Sequence, residues 1–359
     1  MEECLQIFTG DITMELYVRN VNGALYDIVA SLKHQIANPD RIQEWELQSS
    51  RNGDTWEAIE PVVTVYERPM ERVLFNQERD ANPFFHFFES LWMLAGRRDT
   101  KFVVELVKRM ADYSDNGRDM QGAYGWRWRR AWGYDQLAIL TDLLRSKPDT
   151  RRAVLQMWDP DRDVMGQDFG NSEVGGLNSK DIPCNTCAYF KIRNGKLNLT
   201  VCCRSNDAIF GAYGANAVHM SFLLEYMAAC VGVSTGVYRQ VSDSLHLYTS
   251  GPQGDIWQRL QASHGSDTGD AYAHGAVSAL PMFGYGELAS WDMDLNTFFK
   301  EYDYGDPAKA SFLHPWWKTV AQPMWVAYKR RDKSAAEQVL ATDWRKAAVE
   351  WLRRREESK

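Results

Sequence analysis

The chain has 359 residues, 45% of them hydrophobic, and its 41 Lys and Arg against 48 Asp and Glu leave a formal net charge of −7. At about 100–200 residues per domain this is one large domain or two ordinary ones, with ample apolar content for a core. The mild acidity argues against a nucleic-acid binder, although a few local arginines can still hold a small phosphate.

In chain order, residues 21–38 place Leu25, Ile28, Val29 and Leu32 at helical spacing. Ser49-Ser50-Arg51-Asn52-Gly53-Asp54 is a turn by composition. Residues 62–75 are rich in β-branched and apolar side chains and predict a strand. Pro83 opens a helix through Phe84, Phe87, Leu91 and Leu94 that Gly96 ends. A second helix over 134–144 stops near Pro148, and residues 153–157 read as a strand. Residues 159–183 are Gly- and Asp-rich and predict a long loop. Strands over 187–192 and 196–202 meet at Arg193-Asn194-Gly195, a hairpin signal. The longest apolar run, 217–233, is interrupted by His219 and Glu225 and predicts a buried amphipathic helix over 217–231; no run of about 18 apolar residues predicts a membrane span. A strand follows at 237–241. Beyond 255 the pattern weakens until a charged, tryptophan-bearing helix over 335–355. Helices and strands mix without βαβ alternation, so the expected class is α+β.

Met-Glu-Glu-Cys at the start lacks the basic and apolar regions of a signal peptide. Six cysteines in so long a chain are no disulfide framework, and a reduced, cytoplasmic protein is expected. The fourteen tryptophans read as core and interface anchors. Cys184 follows Pro183 at the end of the loop and the start of a strand, where a nucleophile can be reached; the bland alternative is a buried apolar cysteine. Cys184 and Cys187 have C-x₂-C spacing, but Cys202-Cys203 is no second spaced pair and the motif precedes a strand instead of a helix, so neither metal nor redox use is expected. Arg151-Arg152 precede a strand, Arg204-Ser205 follow one, and Arg51 lies in a loop; guanidinium forks plus a hydroxyl suit a phosphate monoester.

These motifs share an order. Arg151-Arg152, Pro183-Cys184, Arg204-Ser205-Asn206-Asp207, Gly211 with Asn216, and His246-Leu247-Tyr248 resemble those of the thymidylate synthase superfamily. Glu89-Ser-Leu-Trp92 resembles the family's Glu-Leu-Leu-Trp helix, and Ala123-Tyr124-Gly125 its Tyr-Gly motif. The match runs from about Arg51 to Tyr248. It implies a mixed sheet flanked by helices, a sheet face used for homodimerisation with shared sites, 5,10-methylenetetrahydrofolate as cofactor and a deoxypyrimidine monophosphate as substrate. Residues 1–254 are then the catalytic part, and 255–359 a C-terminal part of the same domain with a helical extension. The implied roles are a Cys184 thiolate adding to C6 of the pyrimidine, and Glu89 and Tyr124 handling protons and water. Arg51, Arg204 and Ser205 hold the phosphate, with Arg151 and Arg152 reaching it from a partner subunit. His246 and Tyr248 bind the sugar, Asp207 the pterin, and Asn216 the base edge.

Departures from the synthase pattern imply a different product. Asn185-Thr186 stand where synthases have His after the nucleophile, as in phage deoxycytidylate hydroxymethylases. The synthase tryptophan upstream of the Tyr-Gly motif has no counterpart in residues 107–117, and the closing tail is replaced by Arg-Glu-Glu-Ser-Lys. A wetter pocket would let water, and not hydride, capture the methylene intermediate. Asn216 suits the O4 and N3–H of uracil, although the segment from Gly211 is one residue longer than usual, which leaves Ala215 as the alternative occupant. The resemblance therefore implies a phage deoxyuridylate hydroxymethylase acting in the host cytoplasm. The alternatives are a deoxycytidylate hydroxymethylase, a thymidylate synthase, or a dead nucleotide-binding homologue.

Overall fold

The computed structural model describes residues 14–38, 44–50, 53–165, 179–262, 270–284 and 287–357. The N-terminal half contributes β1 (Met14–Val18), α1 (Val21–Ala37), β2 (Trp45–Ser50), β3 (Gly53–Ala58), β4 (Val62–Tyr66), α2 (Pro83–Leu94), α3 (Thr100–Leu106), α4 (Tyr124–Arg129), α5 (Gln136–Ser146), β5 (Val154–Gln156) and α6 (Pro160–Asp163). It continues with β6 (Asn185–Arg193), β7 (Lys196–Cys203), β8 (Asn206–Asp207), α7 (Asn216–Val231), β9 (Ser234–Ser242), β10 (Leu245–Tyr248) and α8 (Gly251–Ala262). The last part is helical: α9 (Leu288–Tyr304), α10 (Gln322–Arg330), α11 (Lys333–Glu337) and α12 (Thr342–Glu357).

A six-stranded mixed sheet runs β1-β4-β9-β7-β6-β5, and a four-stranded sheet runs β2-β3-β10-β8. The β6–β7 hairpin turns through Asn194 and Gly195, at φ 51° and 70°, the left-handed pair its sequence demands. One face of the large sheet carries Ala188, Phe190, Leu197, Leu199, Val201 and Tyr238 into the core. Its other face leaves Tyr17, Val154 and Tyr189 exposed.

Three expectations are corrected. The strand expected over 62–75 ends at Tyr66, because a side chain takes over the backbone's hydrogen bonds: Asn22 Nδ2 donates to the Val73 carbonyl (3.0 Å) and the Phe75 N–H to Asn22 Oδ1 (2.9 Å). The helix over 335–355 is two helices, since the Leu340 N–H leaves the helical ladder for the Thr319 carbonyl (2.8 Å). The 217–231 helix is not amphipathic. α7 is buried nearly all round between α2 and the large sheet, and its Glu225 is paired with buried Arg72. Of the turn expected at 49–54, the paired ends of β2 and β3 take four residues; Arg51 and Asn52 lie outside the described residues. So do 166–178 of the expected loop, whose start forms α6. No helix among the described residues is long and apolar enough to cross a membrane.

α2 positions the site. Asn82 caps it by accepting the N–H groups of Phe84 (3.1 Å) and Phe85 (3.2 Å), and Pro83 supplies its first turn without needing a partner. Its aromatic side packs on the C-terminal helices: Phe84 edge-on to Trp351, Phe87 stacked on Trp316, Phe88 edge-on to Trp325. α4 crosses the end of α2 so closely that a Cβ on Gly125 would sit 2.0 Å from the Met93 carbonyl oxygen. Gly125→Ala must push the two helices apart, and is expected to destabilise the fold by about 3 kcal/mol or more. Urea denaturation tests this; a midpoint equal to the parent's would contradict the contact.

Candidate active site

Cys184 stands half-buried one residue before β6. Its carbonyl accepts the Arg204 N–H (2.9 Å) across to the end of β7. On the other side the Tyr124 hydroxyl, at the start of α4, accepts the N–H groups of both Cys184 and Asn185 (3.1 Å each). A cleft of about 130 Å³ opens beside the thiol. Glu89 of α2, Tyr124 and Asp181 line it with polar groups; Trp92, Val103, Met110 and Met120 are among its apolar walls. The structure thus brings Cys184, Glu89 and Tyr124 to one cleft.

Asn216 opens α7 and joins a directional chain of amides. The Cys203 thiol donates to Asn185 Oδ1 (2.7 Å), Asn185 Nδ2 to Asn216 Oδ1 (3.4 Å), Asn216 Nδ2 to Asn206 Oδ1 (2.9 Å), and Asn206 Nδ2 to Ser242 Oγ (3.0 Å). The segment before Asn216 is a wide π-turn over Ala208–Ala215, kinked at Tyr213 and Gly214. That turn absorbs the extra residue and delivers Asn216, not Ala215, to the cluster. Gly211 has no room for a side chain: a Cβ there would lie 2.7 Å from Asn206 Oδ1.

Asp207 lies in β8, with Oδ1 accepting the Ile209 (2.8 Å) and Phe210 (3.1 Å) N–H groups. β8 runs parallel to β10, which pairs Asp207 with His246; the His246 and Tyr248 rings meet edge-on at 5.3 Å. Arg204 folds back on the segment before Cys184, donating Nε–H to the Pro183 carbonyl (2.9 Å) and Nη2 to that of Ile182 (3.2 Å). Ser205 follows it, half-buried. Arg151 and Arg152 are exposed ahead of β5 and do not line this cleft. Arg51 lies outside the described residues.

Burial dominates the electrostatics. It pushes the Cys184 thiol up from its ordinary value; Arg204 pulls it back, while Asp181 and Asp207 reinforce the rise. Burial likewise raises Asp207, and pushes the Asp181 carboxyl up to about 6 although the Gly122 N–H (2.7 Å) opposes this. Tyr124 is pushed far up, so its hydroxyl stays neutral. Asp181 escaped the sequence reading, because a carboxylate three residues before Cys184 in a polar loop carries no signal of its own. Asn185 and Asn206 were visible only as motif letters; their contact with Asn216 is a product of the fold.

The thymidylate synthase family model matches residues 82–263. A protein of Pseudomonas phage M6 named deoxyuridylate hydroxymethyltransferase is 43% identical over 354 residues, covering 94% of this chain and 93% of its own length. A protein of the same name from Bacillus phage SP01 is 35% identical, covering 73% of this chain and 68% of its own. Another from Delftia phage PhiW-14 is 33% identical over half of each chain.

The raised Asp181 group makes stability depend on pH. Its folded value lies above the ordinary 3.8, so its contribution is fully present below about pH 4 and is lost as pH rises through about 6. Asp181→Asn keeps an acceptor for Gly122 without the buried charge. It is expected to stabilise the fold above pH 7 by about 3 kcal/mol, read as a higher melting temperature, and to change little near pH 4. A uniform shift across that range would reject the assignment.

Proposed function

This chain belongs to the thymidylate synthase family, and we propose that it hydroxymethylates C5 of deoxyuridylate with 5,10-methylenetetrahydrofolate. The observation that carries the reading is the convergence of Cys184, the Glu89 carboxylate and Tyr124 on one cleft of about 130 Å³, with Asn185, the residue after Cys184, joined to Asn216. The names of the three phage relatives agree with it.

The folate supplies a carbon at the oxidation level of formaldehyde. The residues fit such a ligand: the cleft has aromatic and thioether walls, and outside it, among the described residues, the chain uses only Oδ1 of the half-buried Asp207 carboxylate, which leaves Oδ2 for the N–H donors of a pterin. Cys184 adds to C6 of the pyrimidine, which makes C5 a carbon nucleophile. Glu89 and Tyr124 manage the protons and the water. Asn216 has a spare N–H and a spare lone pair beyond its two amide contacts, enough to meet O4 and N3–H of uracil. Arg204 and Ser205, with Arg51, hold the 5′-phosphate; His246 and Tyr248 bind the 3′-hydroxyl.

Hydration of the methylene intermediate in place of reduction follows from the walls. Met110, Met120 and Val103 stand around a cleft that also presents two carboxylates, Glu89 and Asp181, and its volume accommodates several waters. The exposed face of the large sheet, with Tyr17, Tyr189 and Val154, is where a second copy docks, and exposed Arg151 and Arg152 then complete the partner's phosphate site.

With deoxyuridylate and methylenetetrahydrofolate, the expected products are a nucleotide heavier by CH₂O and tetrahydrofolate, and Cys184→Ala abolishes both while leaving nucleotide binding largely intact. A product heavier by CH₂ with stoichiometric dihydrofolate would make the enzyme a synthase, and faster turnover of deoxycytidylate would overturn the role of Asn216. Mixed Cys184→Ala and Arg152→Ala subunits should recover part of the activity that each lacks, because one composite site per heterodimer is whole. No recovery despite subunit exchange would place the arginines in their own chain's site.

A further inference from the structure

α7 brings an imidazole against Glu89. His219 Nε2 lies 3.1 Å from Glu89 Oε2, and the two residues are 3% and 6% exposed. The approach is out of line for a hydrogen bond, so among the described residues the buried Nε2 has no hydrogen-bond partner. Among the described residues no other basic side chain stands within ion-pair distance of this carboxylate. The surrounding charged and titratable groups are His86 of α2, edge-on to His219 at 6.4 Å, Arg79 beside His86, and Asp181 across the cleft. Glu89 lines the cleft; His219 does not, and reaches it only through Glu89.

A buried polar atom left without a hydrogen bond calls for an explanation, and a role in the chemistry of the group it faces is one. Contacts of this kind are often misaligned in the free enzyme and tighten when substrate arrives. Resting on the reading above, we propose that His219 is a positioning residue for water capture: its Nε2–H aligns the Glu89 carboxylate on the water that attacks the exocyclic methylene carbon. In that step the water oxygen bonds to the exocyclic carbon and a water proton passes to Glu89. The π pair of the C5–methylene bond moves to the C4 oxygen; its return restores the C5=C6 bond and expels Cys184 as thiolate. One water is consumed and nothing is oxidised or reduced. A donor on one carboxylate oxygen holds the group in one orientation and leaves the other oxygen's lone pairs for the water.

Release of tritium from C5-labelled deoxyuridylate reports the steps before capture, and 5-hydroxymethyl product reports capture itself. The parent enzyme couples the two one to one. His219→Asn, whose amide falls one methylene short, is expected to form product about tenfold more slowly than the parent. A full first-turnover release of tritium persists, and added 2-mercaptoethanol intercepts the waiting methylene as a 5-thioether. His219→Gln, whose Nε2 reaches the imidazole position, restores coupling. His219→Leu repeats the comparison if the shorter amide fails to fold. Release and product falling together without thioether, or Gln behaving as Asn, overturns the proposal. A parent enzyme that releases no tritium overturns the functional reading, and this proposal with it.

Discussion

Two successive backbone N–H groups, those of Cys184 and Asn185, converge on the Tyr124 hydroxyl, and the geometry of the cleft depends on that shared acceptor. The start of β6 is an edge where the ladder to β7 is irregular, with a register shift between Asn185 and Cys187. Without Tyr124 these N–H groups would lack a partner, and the thiol's place would be set by a loop. Tyr124 is itself fixed by α4, α4 by its close crossing of α2 at Gly125, and α2 by the aromatic contacts of Phe84, Phe87 and Phe88 with the C-terminal tryptophans. The same α2 carries Glu89. Cys184 and Glu89 are therefore registered to one helix, and packing remote from the cleft sets the distance between them.

That rigidity comes with an electrostatic consequence. The groups around Cys184 are mostly acidic or neutral, and burial favours the thiol over the thiolate. Arg204 is the offsetting cation, yet two of its nitrogens are spent on the carbonyls of Ile182 and Pro183. The buried thiol is thus favoured in its protonated form, beside an Asp181 carboxyl that burial pushes up to about 6.

Much of this was legible in the chain, for local reasons. The Pro83 start and Gly96 stop of α2, the Asn194-Gly195 hairpin and the Pro183-Cys184 strand entry are decided by neighbours within a few residues, and the structure has each of them. Residues 67–75 looked like a strand because their side chains suit one; only the distant Asn22 amide decides that they do not pair. The π-turn before Asn216 was visible as one surplus residue, but its shape depends on space that Gly211 leaves for Asn206. His219 and Glu225 appeared as interruptions in an apolar run. Periodicity could not tell that their partners, Glu89 and Arg72, arrive from far along the chain to bury both.

What separates methylation from hydroxymethylation in such a site is which reductant or nucleophile reaches one exocyclic carbon first. Excluding water from it requires an apolar wall without acceptors. Here the apolar wall beside Cys184, with Trp92, Val103, Met110 and Met120 in it, is broken by two carboxylates, Glu89 and Asp181, and a carboxylate is costly to bury without water or another partner. Emptying this cleft of water would desolvate Glu89 and Asp181 together, and burial already pushes the Asp181 carboxyl up. On the reading proposed above, a cleft that keeps its water would present a nucleophile to the carbon that forms inside it.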